Sequence, residues 1–102
     1  METSPTAQPS EETGLSQGRV TVRYWAAARA AAGIAEEQFT GATVADVLAQ
    51  ARMAHLDAPR FARVLGVSSL LLGDRPVGAG DPALLRVVDG DVIEVLPPFA
   101  GG

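Results

Sequence analysis

The 102-residue chain has no cysteine and no lysine, and only one histidine and one tryptophan. Without cysteine there can be no disulfide, no thiolate nucleophile and no Cys-ligated zinc or iron–sulfur centre. A small secreted domain stapled by disulfides is therefore not expected. Without lysine there is no side-chain amine to form a Schiff base or accept an acyl group. The eight positive side chains are all arginine, permanently charged and unsuited to base chemistry. If this chain is joined covalently to another protein, it is the donor. No apolar run approaches the ~18 residues of a membrane span, and the first residues lack the charged-then-apolar pattern of a signal peptide. A cytoplasmic location without a membrane partner is expected. The net charge of −4 opposes nucleic acid, and no basic stripe concentrates the arginines, so no nucleic-acid partner is expected either.

Hydrophobic residues make up 47% of the chain, enough for one modest core and one domain. Residues 1–18 are rich in Ser, Thr, Pro, Glu and Gly with one large apolar residue, Leu15. Such a segment buries too little surface to offset its ordering entropy, and a disordered extension is expected. The folded domain is expected over residues 19–96. Residues 19–25 alternate, with Val20, Val22 and Tyr24 on one face, and predict a half-buried strand with Trp25 turned the other way. Residues 26–33 read as an Ala-rich connector with at most a helical turn, closed by Gly33, and residues 34–40 as a second strand. Thr43 is a good N-cap with Asp46 three residues on, a capping-box variant. Val44, Val47, Leu48 and Ala51 then fall on one helical stripe, which predicts the main helix, fading near Leu56. Residues 60–65 suggest another helical turn with Phe61, Val64 and Leu65 inward. Residues 67–72 read as a strand, 75–77 as a short edge strand where proline is tolerated, and 92–96 as a closing strand apolar enough for a central position.

This order establishes an α+β fold: a mixed sheet of four to five strands with one main helix. If the last strand pairs parallel to the first, the result is a β-grasp. His55, lone and without cysteine, reads as a surface residue. Asp89, Asp91 and Glu94 read as a turn followed by a solvated strand face, and no metal site is expected. Nothing in the chain resembles a catalytic pair or triad.

The chain closes on Pro97-Pro98-Phe99-Ala100-Gly101-Gly102. The diglycine has no Cβ, so it can enter a channel that any side chain would block. The two prolines restrict φ and favour a stiff, extended exit. From Leu96 the tail reaches at most ~20 Å at ~3.3–3.6 Å per residue. What it carries to that distance is an α-carboxylate, an anion at neutral pH with a pKa near ~3.5, which resists nucleophiles until it is activated. The chain has no phosphate-cradling Gly-rich loop followed by Lys, so an ATP site must lie on another protein.

Arg23-Tyr24-Trp25-Ala26 with Arg29 following, Thr43-Val44-Ala45-Asp46-Val47-Leu48, Asp89-Gly90-Asp91 before an apolar strand, and the Pro-Pro-Phe-Ala-Gly-Gly tail together resemble the MoaD/ThiS family of ubiquitin-like sulfur carriers. The resemblance covers residues 20–102 and is closest to the branch of the molybdopterin synthase small subunit. Trp25 stands where a phenylalanine is common, and Leu96 where another aromatic is common. The resemblance implies a ubiquitin-like β-grasp with no active site of its own and no permanently bound cofactor; ATP is used by a partner. A MoeB/ThiF-like adenylating enzyme activates the Gly102 carboxylate behind Gly101, and a persulfide sulfur replaces AMP to leave a thiocarboxylate. The loaded tail then enters a MoaE-like large subunit of molybdopterin synthase and donates sulfur in molybdenum cofactor biosynthesis. Trp25, Leu96, Pro97, Pro98, Phe99 and Ala100 would meet the partner. Carriers for thiamin thiazole, cysteine or tRNA thiolation, and ubiquitin-like protein modifiers, share the same activated diglycine end and remain alternatives.

Overall fold

A strand with one buried face should alternate, and β1 (Gly18–Tyr24) does: Val20, Val22 and Tyr24 enter the core while Thr21 and Arg23 face outward. The structure, a computed structural model, describes residues 17–78 and 80–98. The expected disordered extension up to Ser16, and the tail residues Phe99, Ala100, Gly101 and Gly102, lie outside the described residues. After β1 come α1 (Ala26–Ala32), β2 (Glu36–Gly41), α2 (Val44–Ala54), α3 (Phe61–Val67), β3 (Ser69–Leu72), β4 (Arg75–Pro76), a 3-10 turn (Pro82–Leu84) and β5 (Val92–Leu96).

The five strands form one sheet in the order β2-β1-β5-β3-β4. β1 pairs antiparallel with β2 and parallel with β5, and β3 pairs antiparallel with both β5 and β4. A parallel neighbour needs a crossover connection, and the helices between β1 and β5 supply it. The parallel pairing makes the fold a ubiquitin-like β-grasp, with β5 in the central position that its apolar sequence predicts.

α2 starts where its cap chemistry places it. The Thr43 hydroxyl accepts the Asp46 amide at 3.1 Å, and the Asp46 carboxylate accepts the Thr43 amide at 3.3 Å, closing a capping box with Asp in the place of Glu. Val44, Val47, Leu48 and Ala51 are buried against the sheet. Fully burying a Val or Leu contributes roughly 1.5–3 kcal/mol. That stripe, more than intrinsic propensity, holds an eleven-residue helix in place. The rest of the core comes from Val20, Val22, Tyr24, Ile93 and Val95 of the sheet, Phe61 and Leu65 of α3, Ala28 of α1, and Val87.

Three local readings change. Residues 26–32 form a seven-residue helix where a connector with a helical turn was expected, so two shorter helices stand beside the main one. The cause is a run of alanines with high helix propensity, ended by Gly33 at φ 76°, whose amide reaches the Arg29 carbonyl. No side-chain N-cap announces this helix. β2 begins at Glu36, two residues after Ile34. Val67 belongs to α3 and not to β3, because the Ser68 hydroxyl donates to the Val64 carbonyl at 2.7 Å and closes the helix there.

One close approach fixes the sheet's lower end. Gly18 lies so near the 88–89 backbone that a Cβ on it would sit 2.4 Å from the Asp89 nitrogen and the Val88 carbonyl carbon. There the Asp89 carboxylate accepts the Arg19 amide at 2.8 Å, and that of Asp91 accepts the Val88 amide at 2.8 Å.

Candidate functional site

β5 runs up the middle of the sheet and delivers the chain to Pro97 and Pro98. Its alternation sends Ile93 and Val95 into the core, and leaves Val92, Glu94 and Leu96 half-exposed on the face that the helices do not cover. Register brings Thr21 of β1 beside Val92 and Arg23 beside Glu94 on that open face, and Leu71 of β3 stands on the other side of Glu94. The Trp25 amide donates to the Val95 carbonyl at 3.2 Å, so the ladder continues one step past β1 and sets Trp25 against the end of β5.

Trp25 is 41% exposed, which removes it from the core. It does not hang free. Its indole N–H donates to Glu94 Oε1 at 2.6 Å, and the Arg23 guanidinium lies over its ring, 5.3 Å from the centroid. Arg23 also reaches Glu94 at 3.4 Å and Glu36 at 3.8 Å. The expected patch around Trp25 and Leu96 is therefore mixed: an aromatic plate held by a carboxylate, with a cation on its face. Pro97 is half-buried and Pro98 exposed where the chain leaves the sheet. Phe99, Ala100, Gly101 and Gly102, the rest of the expected site, lie outside the described residues.

Arg23 and Glu94 are neighbours of Trp25 that the sequence reading missed. Parity alone places both on the open face; only the β1–β5 register, across a sequence separation of 71, makes them partners. Glu94 is thus not on a merely solvated strand face, its side chain being only 18% exposed. Asp89 and Asp91 are absorbed by backbone amides, and among the described residues no group of three or more His, Asp or Glu could hold a metal ion.

His55 is a correction. It is not a surface residue: its side chain is 12% exposed, with Nε2 paired to Glu37 Oε2. Its ring lies 4.5 Å from that of Phe61 and edge-on to that of Tyr24. The Tyr24 hydroxyl donates to the same Glu37 oxygen at 2.7 Å. Burial, and then the hydrogen bond and charge of Glu37, push the Tyr24 phenol well above its ordinary value. This cluster ties β1, β2, the end of α2 and the start of α3 together beneath the sheet's upper end.

Two shallow depressions flank the sheet. One of about 570 Å³ beside α1 is lined by Ala26, Arg29, Ala30, Gly33, Ile34 and Ala35. Another of about 390 Å³ beside β4 is lined by Ser68, Ser69 and apolar or glycine neighbours. Arg29 is the one ionisable residue lining either, so neither assembles an acid–base pair. No helix among the described residues is long and apolar enough to cross a membrane.

The chain is 33% identical over 87 residues to the molybdopterin synthase sulfur carrier subunit of Chlamydomonas reinhardtii, an alignment spanning 82% of this chain and 99% of that protein. It belongs to the MoaD family of ubiquitin-like sulfur carriers. No family model matches the chain. Among solved structures, the MoaD-family fold superposes on small archaeal modifier protein 1 of Methanosarcina acetivorans with a TM-score of 0.70, at 25% identity, covering 84% of this chain and 98% of that one. The putative molybdopterin converting factor subunit 1 of Pyrococcus furiosus gives a TM-score of 0.64 at 25% identity, with 80% and 99% covered. These likenesses agree with the parallel β1–β5 pairing that defines the fold in this MoaD-family chain.

Proposed function

We propose that this chain is the sulfur carrier subunit of a molybdopterin synthase, and that Gly102 carries the chemistry through its carboxylate. An ATP-dependent MoeB/ThiF-like enzyme converts the unreactive carboxylate to an acyl adenylate and releases pyrophosphate. The terminal sulfur of a persulfide on a partner then displaces AMP to give an acyl disulfide, a second thiol of the partner cleaves its S–S bond and is left in a disulfide, and the released thiocarboxylate is presented to a MoaE-like large subunit that holds the pterin precursor. The carrier supplies reach, slenderness and a docking face; the catalytic groups belong to its partners. The observation that carries this reading is the family relationship, joined to a central strand that feeds Pro97 and Pro98 directly beside the tethered Trp25. The partner's apolar surface would cover Trp25, Leu71 and Leu96, while Arg23 and Glu94 set the register at the rim.

The test is ATP–pyrophosphate exchange by the activating enzyme. Deleting Gly102, or adding one residue after it, should abolish exchange and leave the fold intact. Normal exchange with a blocked C-terminus would overturn the proposal. Thiocarboxylated chain mixed with the large subunit and the pterin precursor should yield molybdopterin.

The likeness to an archaeal modifier protein favours one second reading, conjugation of Gly102 to target amines. Intact mass of protein from its native cell separates the two. A single sulfur-for-oxygen exchange indicates the carrier, and adducts on other proteins indicate the modifier.

A further inference from the structure

We propose that the side chains of this fold are chemically closed to acylation by its own activated tail, so that one adenylated copy cannot be built onto the side chains of another. This rests on the reading of Gly102 as an activated carboxylate, and extends it to the fate of the adenylated state. An acyl adenylate is consumed by any competent amine: the C–N bond forms, the C–O bond to phosphate breaks, AMP leaves and the amine's proton goes to water. A thiolate, an imidazole or a phenolate can attack the same carbon.

Among the side chains, the amine, thiol, imidazole and phenol classes are each missing or closed off. The 102 residues hold no lysine and no cysteine. Positive charge is supplied by eight arginines, whose guanidinium stays protonated and does not attack. Arg29, Arg52, Arg60, Arg63, Arg75 and Arg86 are all exposed, so a lysine at any of them would be an accessible acceptor. The lone imidazole and the lone phenol do exist, but both are packed away, His55 with 12% of its side chain exposed and Tyr24 with 2% of the residue exposed. His55 lies under Phe61 with its Nε2 on the carboxylate, and the buried Tyr24 hydroxyl donates to the same oxygen. Burial and the carboxylate also keep that phenol protonated.

The experiment makes the activated end without any enzyme. Intein cleavage of the full chain yields a C-terminal thioester, and the α-amino group is blocked by acetylation. The thioester is held concentrated at mildly alkaline pH and followed by intact mass and peptide mapping. The unsubstituted chain should return only hydrolysed monomer. Arg52→Lys and Arg63→Lys should each yield a two-chain species branched at the new lysine. A side-chain-linked dimer of the unsubstituted chain overturns the proposal, as does the absence of adducts from both lysine variants. For the shielding, His55 should react with diethyl pyrocarbonate more slowly than N-acetylhistidine in the folded chain, and at a similar rate once urea unfolds it. Equal rates for His55 in the folded chain and N-acetylhistidine would overturn the shielding. An activating enzyme that ignores Gly102 would sink the functional reading and leave these results standing.

Discussion

The indole N–H of Trp25 donates to the Glu94 carboxylate at 2.6 Å, tying the residue that follows β1 to the centre of β5. An exposed tryptophan held in one rotamer loses less freedom when a partner covers it. If Trp25 docks a partner as proposed, Glu94 would act through it, and Arg23 over the indole ring adds a second restraint.

Trp25→Ala should weaken large-subunit binding by about 2 kcal/mol or more, the range of an aromatic interface anchor, and leave the melting temperature nearly unchanged. Glu94→Ala should show a smaller loss, of about 1 kcal/mol, because the indole keeps its area and loses its tether. Glu94→Gln retains an acceptor and should fall between Glu94→Ala and the unsubstituted chain. Titration calorimetry beside a thermal melt reads both quantities. Unfolding of Trp25→Ala would return this residue to the core.

Alkaline pH should report on one group. Tyr24 is the only tyrosine, and the chain has neither lysine nor cysteine, so no other side chain titrates between the histidine and arginine ranges. Its folded pKa is raised, so at high pH the folded state holds a proton that the unfolded chain gives up. The resulting stability is complete below the unfolded value of about 10 and falls as pH rises through and beyond it, by up to about 1.4 kcal/mol per pH unit. Urea midpoints measured across this window should drop, with tyrosinate absorbance appearing only on unfolding. Tyr24→Phe should flatten the profile. An unchanged slope in that variant would show that another process governs alkaline unfolding.

Glu37→Ala should destabilise the fold by about 1–3 kcal/mol, because the buried Tyr24 hydroxyl loses its acceptor. Tyr24→Phe in the same background should recover part of that loss by removing the orphaned group. Equilibrium urea unfolding of the two single variants and the double variant measures the coupling between them. Strict additivity would mean that the hydrogen bond contributes nothing.

Gly18→Ala tests the closest backbone approach. A Cβ 2.4 Å from two backbone atoms of residues 88–89 must displace the turn that feeds β5, and a loss of about 1–3 kcal/mol is expected from such overpacking. Gly66→Ala is the control. It meets nothing within 4 Å, lies inside α3, and should be neutral or stabilising by a few tenths up to about 1 kcal/mol. Equal melting temperatures for the two variants would contradict the close approach.

What the sequence made legible was what is local. The Thr43–Asp46 cap, the 44–47–48–51 stripe and the parity of Trp25 each depend on residues a few positions apart, and each holds in the structure. The central place of β5 was readable because a strand flanked on both edges needs apolar residues on both sides of the chain. His55 was misread because its environment is assembled from Tyr24, Glu37 and Phe61, which come together only after the sheet and two helices have packed. α1 was under-read because its alanines show no amphipathic period. The Arg23–Glu94 pair was invisible for the reason that every cross-strand pair is: register is a property of two strands, and a single sequence displays them separately.

The strand that releases the tail is the middle one of the five, with a partner on each side. Residues 92–95 pair with β1, and residues 93–96 pair with β3. A pull on the tail, as when a partner grips it or lets it go, therefore runs along the hydrogen-bonded ladders instead of opening them one rung at a time. To extract β5, such a load would have to shear both ladders together. On the proposed function, a tail rooted in a strand held along both edges would be drawn into a partner's channel and withdrawn, cycle after cycle, while the body behind it keeps its shape.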